Sequence, residues 1–549
     1  MPNQEDASLI CNSPQRRLFL QRSALAGAGA AVLPAFARAR ELTSSPAPPI
    51  KPFELDELTI ADLQAGMASG KFSARSITEK YLARIEEIDK RGPAINSVIE
   101  VNPDALALAD ALDKEQKDQH VRGPMHGIPV LIKDNIDTAD RMQTTAGSLA
   151  LLGSKPVRDS FVAQKLREAG AVILGKTNLS EWANIRSSHS SSGWSARGGQ
   201  TLNPYVLDRN PCGSSSGSGA ATAANLCAVA VGSETDGSVI CPASANGLVG
   251  IKPTLGLISR SGIIPIAHSQ DTAGPMTRTV RDAAILLSAL AGVDPRDSVT
   301  STSEGKAAPD YTKFLDPHGL RGARIGVVRK YFGGNDAQDQ LMNNLIEAMK
   351  RQGAEIIDPA DLPTHGKFDK TELVVLLYEL KADLNAYLAN RPGAPASLKD
   401  IIDFNESNRD KEMPHFGQDL FIKAETKGPL SEKEYTDALE ANHSLSRQEG
   451  VDAVMDQFHL DAIMAPTAGP AWLTDLVDGD HDLGGSSNAA AVAGYPDITV
   501  PAGFVSGLPV GISFFGRAWS EPVLLKIAYS FEQTIQARRP PRFLPTLKF

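Results

Sequence analysis

Short apolar runs and amphipathic stretches alternate along most of the chain. Apolar residues at i, i+3 and i+4 spacing follow Thr59 and Ser73, which are typical helix N-caps. The run "IPVLIKDNID" (128–137) is continuously apolar until its polar end, which predicts a buried strand ending near Lys133. Residues 159–183 read as helix, strand, helix, and residues 282–292 as another helix.

The second half of the chain has a different pattern. Residues 300–450 carry more charge and several helical patterns, such as "LVVLLYELKADLNAYLA" (373–389). Strand patterns return at 460–469 and 496–516, followed by a last helix near 520–537. Alternating strands and helices predict an α/β fold with a mixed β-sheet core covered by helices on both faces. The domain would span residues 55–549, with a helix-rich insertion at about 310–450 that covers one edge and shapes the cleft.

The N-terminus predicts export. Arg16 and Arg17 precede a mildly apolar stretch without charge (23–37), which is shorter than the roughly 20 residues that span a bilayer. Paired arginines of this kind resemble a twin-arginine signal. We therefore expect a signal peptide at 1–39, a Pro/Ser-rich linker at 40–54, and a periplasmic or secreted product. The twin-arginine export machinery would be a partner, and no stable membrane insertion is expected.

The net charge and the cysteine content reduce the number of possible functions. The net charge of −10 over 549 residues gives no basic field for nucleic acid. Cys11 falls in the signal, and no C-x-x-C pair marks a zinc site, so neither a metal nor an organic cofactor is expected. Cys212, Cys227 and Cys241 read as small, partly buried thiols, with one bridge, Cys212–Cys227 or Cys212–Cys241, as the alternative.

Ser238 is a candidate nucleophile. It follows a glycine in "VGSETDGSVICP" (231–242), where an apolar run ends, but the nearest histidines in the sequence are about thirty or more residues away. Lys133 could be the base. A lysine at a strand end is usually paired or extends its head into solvent, but burial could lower its pKa from about 10.4 by roughly two to three units. The alternative G-x-S-x-G elbow at 213–217 lacks the preceding strand that such an elbow requires.

Several separated motifs, in order, resemble the amidase signature family. They are "GIPVLIKDNI" (127–136), "CGSSSGSGAATAANL" (212–226), "GSETDGSVICPASANGLVGIKPT" (232–254) and "GIIPIAHSQDTAGPMTRTVRDAA" (262–284), with further matches through "DAIMAPTAGPAW" and "AGYPDITVPAG". The resemblance implies an amidase that uses a Ser–Ser–Lys triad. Ser238 would form the acyl-enzyme, Ser214 would be the bridging serine after a cis peptide bond, and Lys133 would be the base. The backbone amides of an oxyanion loop, Thr235-Asp236-Gly237-Ser238, would bind the developing negative charge.

Asp236 departs from the family pattern, in which many members have glycine at this position. We expect its carboxylate either to bind a donor of the substrate or leaving group, or to be capped by neighbouring N–H groups. The "ETDGS" variant resembles the branch that deamidates C-terminal peptide amides.

The same sequence features are compatible with other functions. Within the family they are a general aliphatic or aryl amidase, a glutamine-dependent amidotransferase and a fatty-acid amide hydrolase. The export signal argues against the amidotransferase, and the mature chain lacks the membrane-inserting element that the fatty-acid enzymes need. The two remaining alternatives are a cysteine amidase or nitrilase using Cys241 or Cys212 with Lys133 and a glutamate, and an exported binding protein without activity.

Overall fold

The computed structural model of the protein describes residues 50–548. These residues contain thirteen β-strands, of which eleven form one mixed sheet. The strands are β1 (Val98–Val101), β2 (Pro129–Lys133), β3 (Val172–Thr177), β4 (Trp194–Ser195), β5 (Gly199–Gln200), β6 (Val229–Glu234), β7 (Val249–Lys252), β8 (Thr272–Thr277), β9 (Arg324–Val327), β10 (Glu355–Ile357), β11 (Ala462–Pro466), β12 (Asp497–Val505) and β13 (Leu508–Phe515). The sheet order is β1-β3-β2-β6-β8-β7-β12-β13-β11-β9-β10, and β4 pairs with β5 separately.

The strand directions place two chain segments at one edge of the sheet. Strand β2 pairs in parallel with both β3 and β6, whereas β8, β7, β12 and β13 follow in antiparallel pairs. Because parallel strands end at the same edge of a sheet, the C-terminal ends of β2 and β6 lie side by side. The functional residues expected after these two strands are therefore brought together.

Sixteen α-helices surround the sheet. They are α1 (Ile60–Ala68), α2 (Ala74–Arg84), α3 (Ala105–Lys117), α4 (Phe161–Glu168), α5 (Ser216–Ala223), α6 (Ile240–Ala245), α7 (Val280–Leu290), α8 (Asp336–Arg351), α9 (Asp369–Ala389), α10 (Leu398–Ser407), α11 (Arg409–Glu412), α12 (Asp419–Glu425), α13 (Lys433–His443), α14 (Asp452–Phe458), α15 (Ser487–Ala493) and α16 (Glu521–Ile535), all within the described part of the chain. Helices α1 and α2 begin after the predicted caps, since Thr59 accepts from the Asp62 amide and Ser73 from the Ser76 amide.

The central strands are buried on both faces. Every residue of β2, β3, β6, β7 and β8 is buried, as expected for a sheet that is covered by helices on both sides. The predicted α/β class, with its mixed sheet, is confirmed.

The segment around 310–450 is helix-rich, but it also adds strands to the sheet. Strands β9 and β10 pair in parallel and form its last two positions next to β11. Helices α9 and α13 pack against each other around Tyr378 and Tyr435. The two strands have only four and three residues, and such short strands carry little periodicity in a sequence.

The predicted signal peptide at 1–39 lies outside the described residues, as does the linker up to residue 49. Among the helices of residues 50–548, none combines the length and the apolar composition needed to cross a membrane.

The centre of β2 offers a test of this packing. Leu131 is completely buried between β3 and β6, so we expect Leu131→Ala to lower the free energy of unfolding by about 2–5 kcal/mol through lost contacts and a cavity. Leu152→Ala is the control, since that side chain is 44% exposed and should change the value by less than about 1 kcal/mol. Urea unfolding of the three proteins measures both effects. Equal losses would contradict the assigned burial of β2.

Candidate active site

Lys133 is the last residue of β2, and its side chain is completely buried. The Nζ atom lies 2.7 Å from Ser214 Oγ, 3.0 Å from the Ser233 carbonyl oxygen and 3.0 Å from Ser233 Oγ. Asn135 donates to the same Ser233 hydroxyl at 2.8 Å. The lysine is therefore held in one position by the end of β6 and directed at a serine hydroxyl.

Burial decides the protonation of this lysine. Loss of solvent lowers the pKa of Lys133 to about 7, although the buried Glu234 and Asp271 carboxyls act in the opposite direction. Near neutral pH a large fraction of the lysine is uncharged, with a lone pair that can accept a proton. The lowered pKa that a lysine needs to act as a base near neutral pH is thus supplied by the burial of Lys133.

Ser214 stands at the entrance to α5, after a cis peptide bond from Gly213. A Cβ atom at Gly213 would clash with Ser180 Oγ and crowd the Ser192 side chain, so a larger residue would force these neighbours to move. The Ser214 carbonyl accepts from the Ser180 amide at 3.1 Å, which fixes this backbone against the neighbouring segment. Ser214 is completely buried, and its hydroxyl shares the Lys133 amine with Ser233 Oγ.

Ser238 lies in the loop between β6 and α6 and lines an open cavity of about 350 Å³. The buried Glu234 carboxylate organises this loop, because it accepts from the amides of Gly237 (2.9 Å), Val239 (2.7 Å) and Ile240 (3.0 Å). Gly237 has a φ of +72°, a left-handed conformation that favours glycine. The serine is consequently presented at the cavity wall by a rigid turn.

The three predicted triad residues lie close together in the structure. Of the two side-chain contacts that the triad requires, Lys133–Ser214 and Ser214–Ser238, only the first is formed in the described residues. Lys133 and Ser214 are hydrogen-bonded directly, whereas Ser238 is joined to the cluster through its carbonyl oxygen, which accepts from the Ser215 amide at 3.1 Å. Within residues 50–548, no hydrogen bond links the Ser214 and Ser238 hydroxyls.

One member of the predicted oxyanion loop is already occupied. The Gly237 amide donates to Glu234, so it is not free to bind a substrate oxygen. The amides of Thr235, Asp236 and Ser238 have no protein acceptor in the described part of the chain. In this structure the Gly237 amide organises the loop, and the role of residues 235–238 as an oxyanion site stays a prediction.

Asp236 is held by side chains and not by backbone amides. Its carboxylate accepts from Ser487 Oγ at 2.6 Å and from Asn488 Nδ2 at 3.1 Å, and it also lines the cavity. The same Asn488 amide donates to Glu372 at 2.6 Å. Burial and the nearby Asp236 carboxylate raise the pKa of Glu372 well above its usual value.

Two of the cysteines form a disulfide, Cys212–Cys241, with 6.0 Å between their Cα atoms. The expectation of three thiols is wrong for this pair and holds for Cys227, which is buried and free. Because a cysteine nucleophile needs a free thiol, the disulfide also removes Cys212 and Cys241 as nucleophiles.

The elbow interpretation fails on geometry as well as on context. Its serine would be Ser215, whose Oγ is buried and donates to the Ser233 carbonyl at 3.1 Å. This hydroxyl does not line the cavity.

Sequence reasoning missed three residues that support the site. Ser233 contacts Lys133 twice, Glu234 shapes the nucleophile loop, and Asp271 binds Thr235 Oγ1 at 2.5 Å and the amides of residues 266 and 267. Ser233 and Glu234 directly precede the loop in the motif 232–254, so their positions were visible in the sequence. The Ser233 contact with Lys133 joins segments 100 residues apart and leaves no sequence signal, whereas the Glu234 contacts lie within the motif itself.

The chain is similar to known amidases in sequence and in fold. A family model described as Amidase matches residues 76–525. A probable amidase from Arabidopsis thaliana is 44% identical over 502 residues, which is 90% of this chain and 93% of the relative. The crystal structure of native peptide amidase from Stenotrophomonas maltophilia has a TM-score of 0.85 and 50% identity, and the match covers 90% of this chain and 100% of that one.

A putative amidase from Schizosaccharomyces pombe is also similar, with 37% identity over 534 residues, which is 91% of this chain and 88% of the relative. The family model covers most of the chain, and the relatives are covered over most of their length. The protein therefore belongs to the amidase family and is an amidase, a hydrolase of amide bonds.

The environment of Lys133 predicts how activity depends on pH. A lysine whose pKa is lowered to about 7 is protonated below that pH and neutral above it, so we expect kcat/KM for amide hydrolysis to rise as pH increases through about 7. Lys133→Ala should lower kcat by roughly 10²–10⁴. Initial rates between pH 5.5 and 8.5 measure both effects.

Lys176→Met is the matched control. Lys176 is the second buried lysine nearby, and its Nζ contacts Ile136 O and Thr144 Oγ1 instead of a triad serine. We expect this variant to keep the rise near pH 7. A wild-type profile that is flat across this range would exclude Lys133 as the titrating base.

Proposed function

We propose that the protein hydrolyses a linear carboxamide to a carboxylate and ammonia through a Ser–Ser–Lys triad, and that its substrate is the C-terminal amide of a peptide. The single observation that carries this proposal is the contact between a buried lysine of lowered pKa and the Ser214 hydroxyl, 2.7 Å away, beside the loop that presents Ser238 to the cavity. A lysine in this state is a base that needs no histidine.

The proposed reaction proceeds through an acyl-enzyme. Ser238 Oγ attacks the amide carbon while its proton passes to Ser214, and the Ser214 proton passes to neutral Lys133. The C–N bond then breaks, and the proton returns along the same path to the departing ammonia. Rotation of a serine side chain on substrate binding brings the two hydroxyls into contact. Water hydrolyses the ester by the same sequence of proton transfers.

The free amides of the nucleophile loop supply the oxyanion site in this proposal. The Thr235, Asp236 and Ser238 amides are available near the attacking oxygen, and each such donor is worth roughly 3–4 kcal/mol in comparable sites. Glu234 holds the loop in the required conformation before the substrate arrives, so little reorganisation accompanies charge development.

The cavity supports a substrate without a carboxylate. Three aspartates line it, Asp236, Asp480 and Asp482, and none of its lining residues is basic. The α-carboxylate of free glutamine would meet these acids without a cationic partner, whereas a peptide amide carries no terminal carboxylate. Apolar side chains, including Trp472 and Leu376, complete the wall and suit the rest of a peptide. The solved neighbours named as peptide amidase support the same choice.

A panel of amides tests the substrate. We expect ammonia release from a C-terminally amidated dipeptide to exceed that from a simple aliphatic amide, an aryl amide and glutamine. Ser238→Ala and Lys133→Ala should each reduce release by about 10² or more. Ammonia is quantified by a coupled assay at pH 8, where Lys133 is mostly neutral.

Ser215→Ala is the control for the neighbouring serines, since Ser215 Oγ binds only main-chain groups of Ser233. It should retain far more activity than Ser238→Ala. Equal release from all four amides would replace the peptide substrate by a general amidase. Activity that survives Ser238→Ala would refute the triad, and no release from any amide would favour an inactive binding protein.

Export is part of the same proposal. Arg16 and Arg17 precede an uncharged stretch, and we propose that the twin-arginine machinery moves the folded protein to the periplasm or the medium.

Changing both residues, Arg16→Lys and Arg17→Lys, tests this export. We expect the full-length precursor to accumulate in the cytoplasm, whereas the wild-type protein is recovered outside it with its N-terminus near residue 40. Cell fractionation and intact-mass measurement give the answer. Wild-type protein found only in the cytoplasm with residues 1–39 attached would contradict export.

A further inference from the structure

The two segments that carry the serines of the site are joined covalently. Cys212 stands two residues before Ser214, and Cys241 stands three residues after Ser238. The disulfide bridges a sequence separation of 29 residues at the wall of the cavity. The nearest other link between the segments is the hydrogen bond from the Ser215 amide to the Ser238 carbonyl oxygen.

Each half-cystine is attached to backbone that sets a serine position. Cys212 has a φ of +58°, a left-handed conformation that residues with a Cβ atom rarely adopt. Its amide donates to Asn210 Oδ1 and its carbonyl accepts from Ser216 Oγ, so the turn leading to Ser214 passes through this strained residue. The Cys241 amide donates to the Gly237 carbonyl at 2.8 Å, in the first turn after Ser238.

Lys133 is positioned independently of the disulfide. It lies at the end of β2 and is bound by Ser233 at the end of β6, both within the sheet. Cutting the disulfide would therefore leave the lysine in place, whereas the Ser214 turn and the Ser238 loop would lose their covalent connection and keep the hydrogen bond from the Ser215 amide to the Ser238 carbonyl oxygen. The disulfide would therefore affect the position of Ser214 relative to Ser238.

We propose that the Cys212–Cys241 disulfide is a positioning element of the active site, and that turnover depends on its oxidised state. This inference rests on the proposed Ser–Ser–Lys triad. Because Ser214 and Ser238 form no direct hydrogen bond in the described structure, their approach relies on the backbone that carries them. A shift of about 1 Å between reacting groups can lower a rate by roughly a hundredfold.

The disulfide is within reach of a small reductant. Both half-cystines line the open cavity, and Cys241 is partly exposed. One thiolate of a dithiol reagent attacks a sulfur of the bridge and forms a mixed disulfide, and its second thiolate then closes the reagent into a ring. Two electrons and two protons are transferred, leaving two cysteine thiols and one oxidised reagent.

The test compares oxidised and reduced enzyme with the Cys212→Ala/Cys241→Ala double variant and with Cys227→Ala. Cys227 is buried in the core, free and away from the cavity, which makes it the matched control. Reduction uses dithiothreitol, and maleimide labelling with mass measurement counts the thiols. Rates are measured well below the unfolding transition with an amide that the oxidised enzyme hydrolyses.

We expect reduction to lower kcat by roughly tenfold to a hundredfold with a much smaller change in KM, and reoxidation to restore it. The double variant should have the low kcat and be insensitive to dithiothreitol, whereas Cys227→Ala should respond as the wild type does. The rise of kcat/KM near pH 7 should persist in reduced enzyme, since Lys133 keeps its contacts. A reduced enzyme that retains full kcat would overturn the proposal, and so would a loss fully explained by a smaller folded fraction.

A second readout separates this proposal from that of the triad. A fluorophosphonate probe labels an activated serine without requiring an amide substrate. Slower labelling of Ser238 after reduction supports the positioning role, and equal rates in both redox states contradict it. Labelling that persists in Ser238→Ala would instead refute the proposed triad.

Discussion

Burial of Lys133 is the interaction on which the rest of the site depends. A lysine in solution has a pKa near 10.4, and holding it at about 7 represents a difference on the order of 5 kcal/mol between its charged and neutral forms. The sheet supplies that environment, because β3 and β6 flank β2 and every residue of all three strands is buried. Ser233 and Ser214 then satisfy the remaining hydrogen bonds of the amine.

The order of the strands in the sheet brings the buried lysine close to the loop that carries Ser238. Strands β2 and β6 are parallel neighbours, so the segments that follow them leave the sheet on the same side, at the C-terminal ends of the strands. This is a common location for ligand sites in α/β folds. Lys133 ends β2, and Ser238 follows β6 by only four residues. Glu234, the last residue of β6, folds the intervening loop back by binding three of its amides. Glu234 therefore has a structural role in this loop.

Local features of the chain were predictable because their causes are local. Strand β2 begins and ends where the apolar run does, and the capping residues Thr59 and Ser73 mark the start of α1 and α2. The short edge strands β9 and β10 were not predicted, since four and three residues carry too little periodicity to mark a strand. The partners of Asp236 were not predicted for a different reason, because Ser487 and Asn488 are about 250 residues away in the sequence.

The sequence by itself determined the α/β class, the family and the candidate residues Lys133, Ser214 and Ser238, because periodicity and motifs are written in neighbouring positions. Tertiary structure decided which groups those residues meet. Only the fold could choose Cys241 over Cys227 as the partner of Cys212, and only the fold could bring Ser487 and Asn488 to the Asp236 carboxylate. Distances, burial and the resulting protonation states arise from contacts between distant segments, which no local pattern encodes.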